Sequence, residues 1–235
     1  MTGGGERVTG GAPRPALPGE TGRPGSPGPA GPGTLRDTQE RWPVLGEPRR
    51  ASGAFVTLRT DRVGMPDGGV AARDVVEHPG AVAVVALDAG GQVLLIRQYR
   101  HPVGRLLWEI PAGLRDVEGE PLRATAEREL REEAGYAAGR WHVLADCFTS
   151  PGILTERLRV FLAREITPVS AAGRGYQPRH EEAHLLLAWV PLEQAVRLVL
   201  AGDLHNGVAA VGILAAYAAQ QSGFAALREP GAPED

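Results

Sequence analysis

Three acids, Glu129, Glu132 and Glu133, fall within a single turn of a predicted helix. At about 100° per residue, positions i, i+3 and i+4 share one helix face, and like charges there cost an isolated helix roughly 0.2–0.5 kcal/mol per pair. A divalent cation would turn that cost into a site. Alone, the run Arg128-Glu129-Leu130-Arg131-Glu132-Glu133 also reads as a solvated charged face. Its flanks favour a site. Pro121 suits a first helical position and Gly135 the left-handed residue that ends a helix, so about four turns are expected between them. Leu122, Ala126, Leu130 and Ala134 recur every four residues, an apolar stripe able to pack on a sheet beside the acids. Hard carboxylate oxygens suit Mg²⁺ or Mn²⁺ better than Zn²⁺.

The span from Gly113 to Tyr136 resembles the Nudix box, whose pattern is Gly, five residues, Glu, seven residues, then Arg-Glu-apolar-any-Glu-Glu-any-Gly-apolar. Gly113, Glu120, Arg128, Glu129, Leu130, Glu132, Glu133, Gly135 and Tyr136 fill its fixed positions, with six residues instead of five between Gly113 and Glu120. Arg97-Gln98-Tyr99-Arg100-His101-Pro102, Trp108-Glu109-Ile110-Pro111-Ala112-Gly113 and Ser150-Pro151-Gly152, whose proline follows Gly135 by sixteen residues, are similar to the ADP-ribose pyrophosphatase branch in its actinobacterial form.

That resemblance implies Mg²⁺-dependent hydrolysis of ADP-ribose to AMP and ribose 5-phosphate, with Mn²⁺ as a substitute. It implies Glu129 and Glu133 as metal ligands, with Glu132, Glu182 and the Ala112 carbonyl as further ones. Glu120 and Arg128 would hold loop and helix together. Arg100, Glu109, Gly113 and Pro151 would meet substrate, as would Arg73 reaching across a homodimer. Arg73 and Arg100 read equally as members of surface ion pairs. The rival functions are hydrolysis of another nucleoside diphosphate derivative, such as a nucleotide sugar, and a non-catalytic ADP-ribose sensor.

A second chemistry is spelled by His180-Glu181-Glu182-Ala183-His184, which matches the H-E-x-x-H zinc-protease signature. That signature needs a helix, to put both histidines on one face. Here residues 173 to 178 are loop-like, and residues 185 to 190 are a short apolar run stopped by Pro191, more strand than helix. The resemblance offers another use, a loop ahead of a late strand that brings an acid over the diphosphate. Glu181 or Glu182 would then be the general base.

Composition removes several alternatives. All 25 cationic residues are Arg, so a Walker A loop, a kinase-type ATP lysine and Schiff-base catalysis are excluded. A net charge of −3 gives no basic footprint for nucleic acid. The single cysteine, Cys147, permits no internal disulfide and sits at the end of an expected half-buried strand. No signal peptide or bilayer-length apolar run is visible, so a cytoplasmic protein without membrane contact is expected.

These residues need a scaffold. Residues 1 to 45 are read as a disordered Gly- and Pro-rich tail with too little apolar surface to offset ordering entropy. Residues 46 to 79 are read as a small N-terminal β subdomain for dimerisation, with strands at 55 to 58 and 70 to 76. Residues 80 to 222 form the catalytic domain and 223 to 235 a flexible tail. Within the domain, strands at 81 to 87 and 92 to 99 flank a four-residue hairpin connection. Further strands are expected at 141 to 147, 158 to 163 and 185 to 190, and helices at 192 to 200 and 208 to 220. The expected fold is an α/β/α sandwich with a mixed sheet, plus the β subdomain.

Overall fold

The structure is a computed structural model that describes residues 35–53, 56–170 and 185–234. Residues 35 to 41 fall in a separate unit from residue 42 onward. The strand expectation at residue 55 and the motif at 180 to 184, including Glu181 and Glu182, lie outside the described residues.

The first sheet is a meander, β1 (Arg49–Ser52), β2 (Thr57–Gly64) and β3 (Val70–Glu77), all antiparallel. Residues 44 and 45 already pair with β2, through the Val44–Val63 bridge and Leu45 N–H on the Arg62 carbonyl, so ordered pairing starts earlier than composition suggested.

β4 (Ala81–Ala86) is buried at every residue, and both of its faces carry core. β5 (Gln92–Arg100) follows through the expected turn, in which Asp88 N–H donates to the Gln92 carbonyl at 3.0 Å. The two strands do not continue as a hairpin. Beyond the Leu87–Val93 bridge they enter different sheets, β5 between β6 (Arg105–Glu109) and β10 (Leu186–Pro191), and β4 between β7 (Ala112–Leu114) and β9 (Arg157–Pro168). A strand buried on both faces gains more from two flanking strands than from one hairpin partner. β4 runs parallel to β9, while β8 (Tyr136–Phe148) closes the order β7-β4-β9-β8, so this sheet is mixed.

Helices cover both faces of that sheet. On one side Val82, Val84 and Phe161 pack with Ala126, Leu130 and Ala134, the expected stripe of α1 (Leu122–Glu129) and the turn after it. On the other, Val85 and Val160 meet Leu192 and Ala195 of α2 (Leu192–Ala201) and Ala209, Ile213 and Ala216 of α3 (Gly207–Gln221). Gly212 makes that contact close, since a Cβ there would stand 2.9 Å from both Ile110 Cδ1 and Val85 Cγ2. Among the described residues no helix is long and apolar enough to cross a membrane.

Residues 223 to 234, where a flexible tail is expected, bond to the sheet. Val143 N–H donates to the Arg228 carbonyl, and the buried Arg159 donates Nη1 to the Ala232 carbonyl at 2.6 Å and Nη2 to that of Pro233 at 3.0 Å. Composition alone misses these bonds because the donors lie about seventy to eighty-five residues upstream.

Candidate active site

α1 ends at Glu129 and passes into a π-helical turn, Leu130–Ala134, closed by Gly135 in the left-handed region at φ 73°. The continuous α-helix expected here is therefore widened in its last turn, over the residues that carry Glu132 and Glu133; such one-turn π insertions recur at functional sites. The helix is anchored through Arg128. Its guanidinium reaches Glu129 at 2.5 Å, Glu120 at 3.3 Å, and Glu132 and Asp116 at 3.5 Å each. Glu120 also accepts from the Thr125 hydroxyl, and that bond, beside Arg128, holds its carboxyl below the usual range.

The acids meet the preceding strand. The Glu129 carboxyl lies so close to Gly113 that a Cβ there would stand 2.1 Å from its carboxyl carbon. Glu133 accepts from Ala112 N–H at 2.9 Å. The β4–β7 register explains why that N–H is available. Val84 N–H donates to Pro111 O and Arg115 N–H to Gly80 O, so Ala112, opposite Ala83, occupies a non-hydrogen-bonded pair. Its N–H and carbonyl both turn away from β4 toward the helix acids.

Glu129 is 13% exposed, and burial pushes its carboxyl up to about 7, against Arg128 and with help from the Glu132 charge. A carboxylate so placed holds its charge at neutral pH most readily beside a further cation. Among the described residues no group of three or more His, Cys, Asp or Glu side chains is placed to hold a metal ion. Mg²⁺ takes one or two carboxylates and fills its octahedron with water and phosphate oxygens.

A cleft of about 380 Å³ opens beside this junction, on the strand side of it, and Glu129, Glu132 and Glu133 are not among its lining. Ala112 and Gly113 line it, as do Arg100 and Glu109. Arg100 is engaged in a fork on Glu109, Nε at 3.0 and 3.2 Å and Nη2 at 2.7 Å, and Glu109 is buried. Arg100 is thus ion-paired with a buried carboxylate at the cleft. Pro151 lies in an exposed turn and does not line the cleft, but that turn docks on β3 through Val76 and leads to Glu156, which does. Arg73, on β3 opposite Asp61, is absent from the lining, and its Nη1 donates to the Ala72 carbonyl.

Three polar lining residues escaped the sequence reading, His78, Glu156 and Asn206. His78 Nδ1 takes the Gly80 N–H at 3.1 Å and lies 3.5 Å from Glu156, while Asn206 caps α3 by accepting from Ala209 N–H. They come from three separated segments and share no local spacing. The turn residues Pro79 and Gly80 beside His78 are a local signal near one of them.

The NUDIX domain family model matches residues 77–210, more than half of the chain. The chain belongs to the NUDIX family. An ADP-ribose pyrophosphatase of Mycobacterium tuberculosis is 49% identical to this Nudix protein over 177 residues, 75% of this chain and 83% of the relative. A Bacillus subtilis ADP-ribose pyrophosphatase is 35% identical over 162 residues, 69% of this chain and 85% of the relative. A solved structure described as an ADP compounds hydrolase superimposes with a TM-score of 0.65 over 80% of this chain and 98% of its own, at 19% identity, a likeness of fold.

Proposed function

We propose that this Nudix protein is a Mg²⁺-dependent pyrophosphohydrolase that cleaves ADP-ribose to AMP and ribose 5-phosphate, with Mn²⁺ able to substitute. The observation that carries the reading is the junction of Glu129 on Gly113 and Glu133 on Ala112 N–H, at the edge of a cleft large enough for part of a nucleotide. The relatives named as ADP-ribose pyrophosphatases supply the substrate.

Glu129 and Glu133 would hold the ion, with Glu132, Glu182 and the Ala112 carbonyl as further ligands. A divalent ion bound there would supply charge neutralisation for the diphosphate, a more acidic water and stabilisation of the leaving oxygen. Gly113 leaves the space that the Glu129 carboxyl needs, and Arg128 with Glu120 fixes the loop against the helix. Glu109 orients Arg100 toward a phosphate or ribose oxygen at the cleft. The general base is Glu181 or Glu182, and the other of the pair approaches the metals or stays in solvent. Pro151 bounds the substrate through its turn. Arg73 meets substrate only across a homodimer, since within its own chain it does not line the cleft.

The test is a panel of ADP-ribose, ADP-glucose and GDP-mannose incubated with Mg²⁺, with products separated by chromatography. AMP and ribose 5-phosphate from ADP-ribose, with the other two slower, is the expected result. Preference for a nucleotide sugar moves the assignment within the class, and binding of ADP-ribose without turnover replaces the enzyme by a sensor.

A further inference from the structure

We propose that residues 228 to 234 are a strap that sets the shape of the catalytic cleft, and that Glu234 is a positioning residue joining its two walls. The inference rests on the reading of that cleft as the hydrolytic site.

The strap is fastened at its middle. Arg159, 2% exposed, joins it to the sheet: Nε and Nη2 on Asp146 of β8 at 2.7 and 2.9 Å, Nη1 and Nη2 on the strap carbonyls of Ala232 and Pro233. Arg228 adds a third bond to Asp146 at 2.9 Å. Held in this way, the chain delivers Glu234 to a defined place.

There the Glu234 carboxylate lies 3.2 Å from Arg115 Nη1 and 3.7 Å from Arg157 Nε. Among the described residues no other carboxylate is within ion-pair distance of either arginine. Arg115 directly follows β7 and Arg157 opens β9. Between them sits Gly80, whose carbonyl accepts from Arg115 N–H at 3.1 Å and whose Cβ, if it had one, would stand 2.9 Å from the Arg157 carbonyl and 3.1 Å from Arg115 Cδ. One carboxylate thus neutralises two arginines packed around one glycine.

Those positions adjoin the cleft from both sides. Ala112, Gly113 and Leu114 precede Arg115, and Glu156 and Leu158 flank Arg157; all five line the cleft. Arg115 also belongs to the loop between Gly113 and Glu120, one residue longer than the family pattern. The Glu234 bridge holds the start of that loop. Because Glu129 and Glu133 are set against Gly113 and Ala112, a shift of this wall moves the metal ligands, and a misplacement near 1 Å costs about a hundredfold in rate.

The experiment compares Glu234→Gln, Glu234→Asp and the charge swap Arg115→Glu/Glu234→Arg in the full chain. It reads kcat and KM for ADP-ribose, Tm, and amide hydrogen exchange of residues 112 to 119. Glu234→Gln is expected to lower kcat/KM by roughly tenfold to a hundredfold, with faster exchange in residues 112 to 119 and Tm nearly unchanged. Glu234→Asp and the swap should recover part of both effects. Unchanged kinetics and unchanged exchange in Glu234→Gln overturn the proposal, as does a fall in Tm with kcat and KM of the folded fraction intact. If the wild type does not hydrolyse ADP-ribose, the functional reading fails, and the exchange of residues 112 to 119 still decides whether the strap holds that wall.

Discussion

Glu129 and Asp146 are both part-buried carboxylates beside arginine, and the protein drives them in opposite directions. At Asp146 burial would raise the carboxyl, but hydrogen bonds from Arg159 and Arg228 outweigh it and hold it below its ordinary value. At Glu129 burial wins, lifting it to about 7, because Arg128 is divided among four acids and Glu132 adds negative charge. The contrast separates two uses of charge. Two arginines on one acid make a closed structural network, whereas one arginine shared by several acids leaves negative charge that a divalent ion can take up.

The sharpest way to break the comparison is to remove charge from the acidic side. Glu133→Gln keeps the side-chain volume and removes one metal-ligand charge. Since a bound ion supplies several kcal/mol of transition-state stabilisation, and each 1.36 kcal/mol is tenfold, turnover should fall by at least about a hundredfold. Circular dichroism and Tm should stay close to wild type. Wild-type turnover at saturating Mg²⁺ would remove Glu133 from the ligand set.

Two glycines carry the same contrast into packing. A Cβ at Gly113 meets the end of the Glu129 side chain, which can swing aside, so Gly113→Ala should fold while displacing a ligand. A Cβ at Gly212 meets Ile110 and Val85 in the core, where nothing is free to swing, and overpacking costs about 1–3 kcal/mol. Urea unfolding and kcat measured on both variants should give crossed results. Gly113→Ala loses activity more than stability, and Gly212→Ala loses stability more than activity. Parallel losses in the two would show that the Gly113 contact is structural.

What sequence made legible follows the range of the interactions. The acids, Arg128, Glu120 and Gly113 lie within about two dozen residues, so helical periodicity could put the acids on one face, while the parts of Gly113, Glu120 and Arg128 came from the resemblance to the Nudix box. The π-helical turn at Leu130–Ala134 escaped because 100° periodicity assumes an α-helix throughout. The separation of β4 from β5 escaped because alternation identifies strands but not partners, and the β4–β9 pairing spans some seventy-five residues. The strap was invisible for the same reason. Its Pro, Gly and Ala residues offer no pattern, and its order comes from Arg159, Arg115 and Arg157 far upstream.

A smaller effect separates the two carboxylates by metal. An ion at about 100 times its Kd stabilises by about 2.7 kcal/mol, which for a chain of this size is roughly 5–10 °C in Tm. With Glu129 titrating at about 7, the carboxylate is mostly ionised at pH 8 and about a tenth ionised at pH 6. The Mg²⁺ gain should therefore fall by about 1.4 kcal/mol, roughly half, between pH 8 and pH 6. Glu129→Gln should abolish both the gain and its pH dependence in differential scanning calorimetry, while Asp146→Asn should leave both in place. A gain that is flat across this range would detach Glu129 from the ion.

The smallest effect lies on the acid side, at Asp146. Its folded carboxyl sits below the ordinary aspartate value, so the unfolded chain binds the proton first. The stabilisation is complete above about pH 4, the ordinary value, and is lost as pH falls through the lower folded value. Asp146→Asn removes the charge that Arg159 and Arg228 share while keeping an acceptor oxygen, so Tm should drop at pH 7, with a smaller gap from wild type at pH 3, where the unfolded chain already binds the proton. Convergence of the two melting curves on acidification is the signature of a compensated acid, because a group without its arginines would show no such gap to close. A constant offset from pH 7 to pH 3 would mean that Asp146 contributes through shape and hydrogen bonding alone, and the distinction between the two carboxylates would then rest on Glu129.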